Sequence, residues 1–107
     1  MSEFYVAAID LGSYQVIGAV ARKSETGLEI VDVEKEKTEE GCIEKGELKS
    51  IDKAALHINR LIQKLKNGAQ LKELNYVYVT WHGIKPTDEN QDKLVKKVLK
   101  NVIVKYP

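Results

Sequence analysis

The sequence predicts an α/β fold on a mixed sheet, with elements in the order β-β-β-α-β-α and room for a short final strand. Three observations predict it. Three apolar or alternating runs occupy the first 33 residues with only short turns between them. A long stretch then repeats apolar residues at steps of three and four, the mark of an amphipathic helix. After it comes a run rich in aromatic and β-branched residues, the composition of a strand.

Phe4-Tyr5-Val6-Ala7-Ala8-Ile9 is continuously apolar up to Asp10, as expected of a strand covered on both faces. Gly12-Ser13 break it in the manner of a turn. Val16 to Ala21 form the second run, and Ser24 to Gly27 make a polar turn. Leu28-Glu29-Ile30-Val31-Asp32-Val33 alternate as a half-exposed third strand. The short spacing between these runs predicts an antiparallel meander. Residues 34–40 are a mixed charge run, read as a solvated strand end and loop, and Gly41 to Gly46 continue as loop. Ser50 is placed to cap a helix whose apolar stripe is Ile51, Ala54, Ala55, Ile58, Leu61, Ile62 and Leu65. Lys64 and Lys66 suit its last turn, and Asn67-Gly68 supply the stop. Leu74 to Trp81 should be a fourth strand, joined in parallel to the first because a helix intervenes. Pro86-Thr87-Asp88 begin a second helix, with Asp88 and Gln91 at capping-box spacing. Its apolar stripe is Leu94, Val95, Val98 and Leu99, while Val102-Ile103-Val104 suit either the helix end or a fifth strand.

The chain of 107 residues has the size of one small domain. Its hydrophobic share is 43%, its charged share 31% and its formal net charge +1, a balance with no global pull toward nucleic acid or an anionic membrane. Cys42 is the single cysteine, so no intrachain disulfide forms and a reducing cytoplasm is the expected compartment. No apolar run approaches the ~18 residues of a membrane span. The expectation is a soluble protein that is not exported and inserts in no membrane.

Chemistry, if present, belongs to Ala8-Ile9-Asp10-Leu11-Gly12-Ser13-Tyr14. A triphosphate needs closely approaching backbone N–H groups, which a tight glycine turn supplies. A carboxylate at a strand end orients the waters of a Mg²⁺ ion that keeps much of its hydration shell. Taken alone, the same residues also suit an ordinary hairpin in which Asp and Gly serve only turn geometry.

The stretch Ala7 to Val16 resembles the first phosphate motif of the actin-like ATPase superfamily. In that superfamily an apolar strand leads into Asp-[apolar]-Gly-[Ser/Thr] and a second strand, and the fold is ribonuclease H-like. Gly41-Cys42-Ile43-Glu44-Lys45-Gly46-Glu47-Leu48, followed by a helix, is similar to the corresponding segment of the bacterial cell-division family FtsA. Pilus-assembly homologues of the PilM kind share that pattern. The resemblance covers roughly residues 4 to 84. It implies that Asp10 places Mg²⁺ through water and that Gly12, Ser13 and Tyr14 offer N–H groups to the β- and γ-phosphates. Gln15 would sit at the loop's edge, where many relatives carry lysine. The implied cofactors are ATP and Mg²⁺ in a full-length protein, bound weakly or not at all by this chain.

A second Asp-x-Gly hairpin, the catalytic polar residues and the adenosine loop of the superfamily have no counterpart here. From residue 85 the chain departs from the FtsA pattern. The resemblance therefore implies one subdomain, either a piece of a longer protein or a stand-alone relic. Such a chain would be inactive alone, because transition-state stabilisation needs charges on both sides of the γ-phosphate. Its implied partners are the remainder of the protein, other protomers and cell-division proteins.

Two rivals remain. A ribonuclease H-type nuclease needs several carboxylates converging on two metals, yet only Asp10 is well placed, and Asp52 lies at the very start of the helix. A non-catalytic assembly module would use strand edges and helix faces. Tyr76, Tyr78 and Trp81 read as sheet packing ahead of a partner hot spot. Lys93, Lys96, Lys97, Lys100 and Lys105 read as a solvated face, since Asp88, Glu89 and Asp92 accompany them. His57 falls off the apolar stripe and is expected at the surface. His82 ends the fourth strand near the bend, with loop hydrogen bonding its expected role. Neither histidine, with Cys42, has the spacing of a zinc site.

Overall fold

Each of the first two apolar runs extends by a few residues on both sides of the turn between them. In the computed structural model, which describes residues 4–85, 87–98 and 104–105, β1 spans Phe4–Gly12 and β2 Gln15–Ser24. They pair antiparallel from Phe4 opposite Lys23 to Leu11 opposite Val16. A third strand, β3, spans Gly27–Lys37 and pairs antiparallel with β2, with a bulge at Val20/Ala21. β3 is longer than its alternating core, because the charged residues 34–37 continue the ladder. The run is also less solvated than its composition implies. The Glu36 carboxylate side chain is only 10% exposed and Thr38 is buried. The loop beyond contains a two-strand hairpin, β4 (Ile43–Glu44) with β5 (Glu47–Leu48), turned through Lys45 and Gly46 at φ 53° and 74°.

Helix α1 spans Ile51–Gly68. The Ser50 hydroxyl accepts the Lys53 N–H at 3.2 Å, satisfying one of the donors left open at a helix start. Ala54, Ala55, Ile58, Leu61, Ile62 and Leu65 are buried against one face of the sheet, where they meet Ala7, Ile9, Leu11, Val16 and Val20. Gly18 allows this approach, since a Cβ there would lie 3.0 Å from the Leu65 side chain. At the helix end, a Cβ on Gly68 would collide with the Asp32 carboxylate at 2.2 Å. The helix runs through Gly68 to a cap at Ala69, and the left-handed residue that follows is Gln70 at φ 57°, so glycine serves there as room for β3 and not as the expected stop.

β6 spans Tyr76–His82 and lies parallel to β1, from Val6 opposite Tyr76 to Gly12 opposite His82. The Asn75 side chain and backbone clasp Tyr5 at the entry to this pairing. Helix α2 covers Asp88–Lys97 and packs on α1, burying Leu94 and, just beyond its end, Val98. Its cap is Thr87, one residue earlier than the sequence spacing implies, because the Thr87 hydroxyl accepts the Asn90 N–H at 3.1 Å. Asp88 thus falls inside the first turn, where its charge suits the helix dipole. Leu99 and Val102 lie outside the described residues. Val104–Lys105 form a strand, β7, parallel to β6, and Ile103 lies outside the described residues. The sheet order is β3-β2-β1-β6-β7. That is the meander with a parallel crossover expected from the sequence, and the ribonuclease H-like arrangement.

Leu61 stands in the centre of this core with no exposure. Leu61→Ala should lower stability by about 2–5 kcal/mol, the usual cost of a core truncation with its cavity. Urea unfolding at neutral pH measures it.

Candidate phosphate-binding bend

The candidate residues Asp10, Gly12, Ser13, Tyr14 and Gln15 surround one turn, at the end of β1 where the chain reverses into β2. They line a cavity of about 280 Å³ together with Ile17 and His82. Asp10 and His82 reach it from adjacent strands. The parallel register sets Thr80 beside Asp10 and His82 beside Gly12. The Thr80 hydroxyl donates to Asp10 Oδ1 at 2.8 Å. That bond fixes one carboxylate oxygen and the rotamer, so the acid is held by the neighbouring strand and not by its own turn.

The bend itself is held from the opposite side by Thr38, directly after β3. The Thr38 hydroxyl donates to the Gly12 carbonyl at 2.7 Å, and its N–H donates to the Tyr14 carbonyl at 3.0 Å. The Gly12–Ser13 peptide is trans, so the Ser13 N–H points opposite to the carbonyl that Thr38 holds. Tyr14 is 87% exposed at the tip. Gly12 also has a steric reason for its identity, because a Cβ would meet the Gln15 carbonyl at 3.0 Å. The bend thus gathers a small hydroxyl and a braced carboxylate around the cavity.

Thr38 is kept in place by a polar brace that sequence reasoning missed. His57 is buried at 2% exposure, not at the surface. It stands beside the apolar stripe because the extension of β3 folds over that flank of α1. Its Nε2 accepts the Glu39 N–H at 2.9 Å, and its Nδ1 bonds Glu36. Lys64 and Arg60 also lie on the Glu36 carboxylate, at 3.2 and 3.5 Å. Burial pushes the Glu36 carboxyl up, but His57, Lys64 and Arg60 outweigh it and hold it below its ordinary value. The only signal in the sequence was Glu36 opposite a polar position on the helix, legible once the strand is known to run to residue 37.

Burial, with Glu39 adding to it, raises the Cys42 thiol above its ordinary value, so it is no activated nucleophile. Among the described residues no group of three or more His, Cys, Asp or Glu is arranged to hold a metal. A two-metal nuclease centre needs more carboxylates than that. The arrangement does suit a mostly hydrated Mg²⁺, which binds through one carboxylate and the ligand's own phosphates. No helix of the described residues is long and apolar enough to cross a membrane.

No protein-family model matches the chain, and no curated protein does either. Solved structures do. A Ppx/GppA family member from Aquifex aeolicus is 21% identical, with a TM-score of 0.54, across 99% of this chain and 36% of its own. An exopolyphosphatase from Cytophaga hutchinsonii is 17% identical, with a TM-score of 0.55, across 95% of this chain and 34% of its own. Diol dehydratase-reactivating factor in its nucleotide-free form is 23% identical, with a TM-score of 0.54, across 71% of this chain and 12% of its own. At these identities the likeness establishes the fold, that of an actin-like, ribonuclease H-like domain. The chain spans about a third of the phosphatases' length and less of the reactivating factor's.

Two consequences are measurable. Thr38→Val keeps the shape but leaves the Gly12 carbonyl without its hydroxyl partner. It should cost about 1–3 kcal/mol and speed hydrogen exchange of the Ser13 and Tyr14 amides. Glu36 has a lowered folded pKa, so its contribution to stability is present above its ordinary 4.5 and is lost as pH falls through the lower folded value. The stability gap between the wild type and Glu36→Gln should therefore be widest near neutral pH and close in acid, as followed by urea midpoints across that range.

Proposed function

We propose that this chain supplies the first phosphate-binding hairpin of an actin-like nucleotide cleft and is not catalytic alone. The observation that supports this most is the bend at Gly12 to Gln15. Thr38 takes its carbonyls on one side, and on the other Asp10, held by Thr80, shares a cavity with Ser13, Tyr14 and Gln15. A triphosphate tail entering there would meet Ser13 and Tyr14, with Gln15 at the edge, while Asp10 would orient water around Mg²⁺. Magnesium would neutralise phosphate charge. This chain's own residues would bind and orient the tail. They reach it from one side only, so the charges that complete hydrolysis must come from a second domain.

The solved structures of similar fold include proteins described as exopolyphosphatases and a reactivating factor studied without nucleotide, which fits a site built for phosphoanhydrides. Within the superfamily, the finer reading is an FtsA-like role in bacterial cell division, in the cytoplasm. It rests on the segment from Gly41 to Leu48 alone, and a PilM-like role in pilus assembly rests on the same segment.

Titration of ¹⁵N-labelled protein with MgATP should shift the amides of Leu11 to Gln15 and release no phosphate. Asp10→Asn should make that binding indifferent to Mg²⁺ while leaving the fold intact. Shifts confined to other regions would overturn the reading, and tripolyphosphate in place of ATP tests whether the phosphate tail alone is recognised.

A further inference from the structure

β3 sorts its side chains by chemistry across the sheet. Toward α1 it carries Glu29, Asp32, Glu34 and Glu36, opposite Arg22, Val20, Gly18 and Val16. Toward the other face it carries Leu28, Ile30 and Val33, then Lys35 and Lys37. The apolar character continues on that face through β2 and β1 to β6. Leu28, Ile30, Val33 and Tyr78 remain 66%, 62%, 55% and 39% exposed. A groove of about 880 Å³ opens at the end of the face away from the bend, between Leu28 on one side and Phe4, Tyr76 and Tyr78 on the other. An exposed apolar patch with a polar rim marks an interaction site.

The rim says what fits. Lys23, Lys35 and Lys37 stand along this face. Its acids are Asp10, engaged by Thr80, and Glu25 in the β2–β3 turn beside the groove. We propose that this face docks an amphipathic helix of a partner protein, with an apolar stripe flanked by aspartate or glutamate. The exposed apolar residues lie on the face of the sheet and not along the open outer edge of β3, so the surface offers side chains and not a ladder, which suits a helix better than an added strand. A second copy of this chain would bring lysines against lysines. Nucleic acid would gain nothing from the apolar centre. This inference stands apart from the phosphate-binding reading and survives its failure.

The test uses two fluorescein-labelled synthetic helices of roughly 20 residues, both with a leucine stripe, one flanked by glutamate and the other by lysine. The glutamate-flanked peptide should bind about tenfold more tightly or better, shifting the amides of Leu28, Ile30, Val33 and Tyr78. Ile30→Asp with Val33→Asp should abolish binding, whereas Leu56→Glu, on the exposed side of α1, should not. Both sites are exposed, and circular dichroism verifies that each variant folds. Lys23→Glu with Lys35→Glu should reverse the preference between the two peptides. Equal affinity for both peptides, or insensitivity to the β3 variants, would overturn the proposal. So would a dimer abolished by the β3 variants, or preferential binding through this face to phosphatidylserine-containing vesicles.

Discussion

The parallel register of β1 against β6 sets Thr80 beside Asp10 and His82 beside Gly12, and a slip of one residue would turn both side chains into the core. Side chains alternate across a strand with a period of two, so register and the geometry of the bend cannot vary independently here. The register is anchored at one end by Asn75 on Tyr5. Along its length it is held by Val77 and Val79, which share the core with Ile9 and Leu11. The crossover through α1 brings β6 to this position, and the same helix supplies the core it rests on.

From that constraint follows a division of labour between the two sides of the bend. On one side, β6 braces the carboxylate. On the other, Thr38 holds two carbonyls and is itself backed by Glu36, His57 and the Glu39 amide. A turn at the end of a hairpin is ordinarily a mobile place. This one is tied to the core through a side chain, a backbone amide and the enclosed Glu36–His57 pair. A preorganised anion site needs such ties, since donors that must first be ordered lose affinity to that ordering.

Much of this was legible in the residues. The stripe from Ala54 to Leu65 and the Ser50 cap determine α1 almost to the residue, because periodicity and capping are local signals. The strand order followed from run lengths and the intervening helix. The misjudged positions were tertiary, with one local exception at the start of α2. His57 lies beside the stripe, and only the extension of β3 to Lys37 covers it. Thr87 rather than Asp88 caps α2, a choice between neighbouring cap formers that local spacing does not make. Thr38 and Thr80 carry no motif at all, and each matters through a partner 26 or 70 residues away. For the candidate site itself, the Asp10-to-Gln15 turn was visible in sequence, whereas its supports came from the folded chain.

Cys42 is the chain's single thiol, and it is fully enclosed between the β4–β5 hairpin and the start of α1. Its backbone carbonyl receives both the Lys49 and the Ser50 amides, so it sits where the hairpin is sewn to the helix. An alkylating reagent can reach it only when that seam parts. The protein thus carries its own covalent clock for local opening, read by mass spectrometry without any introduced label.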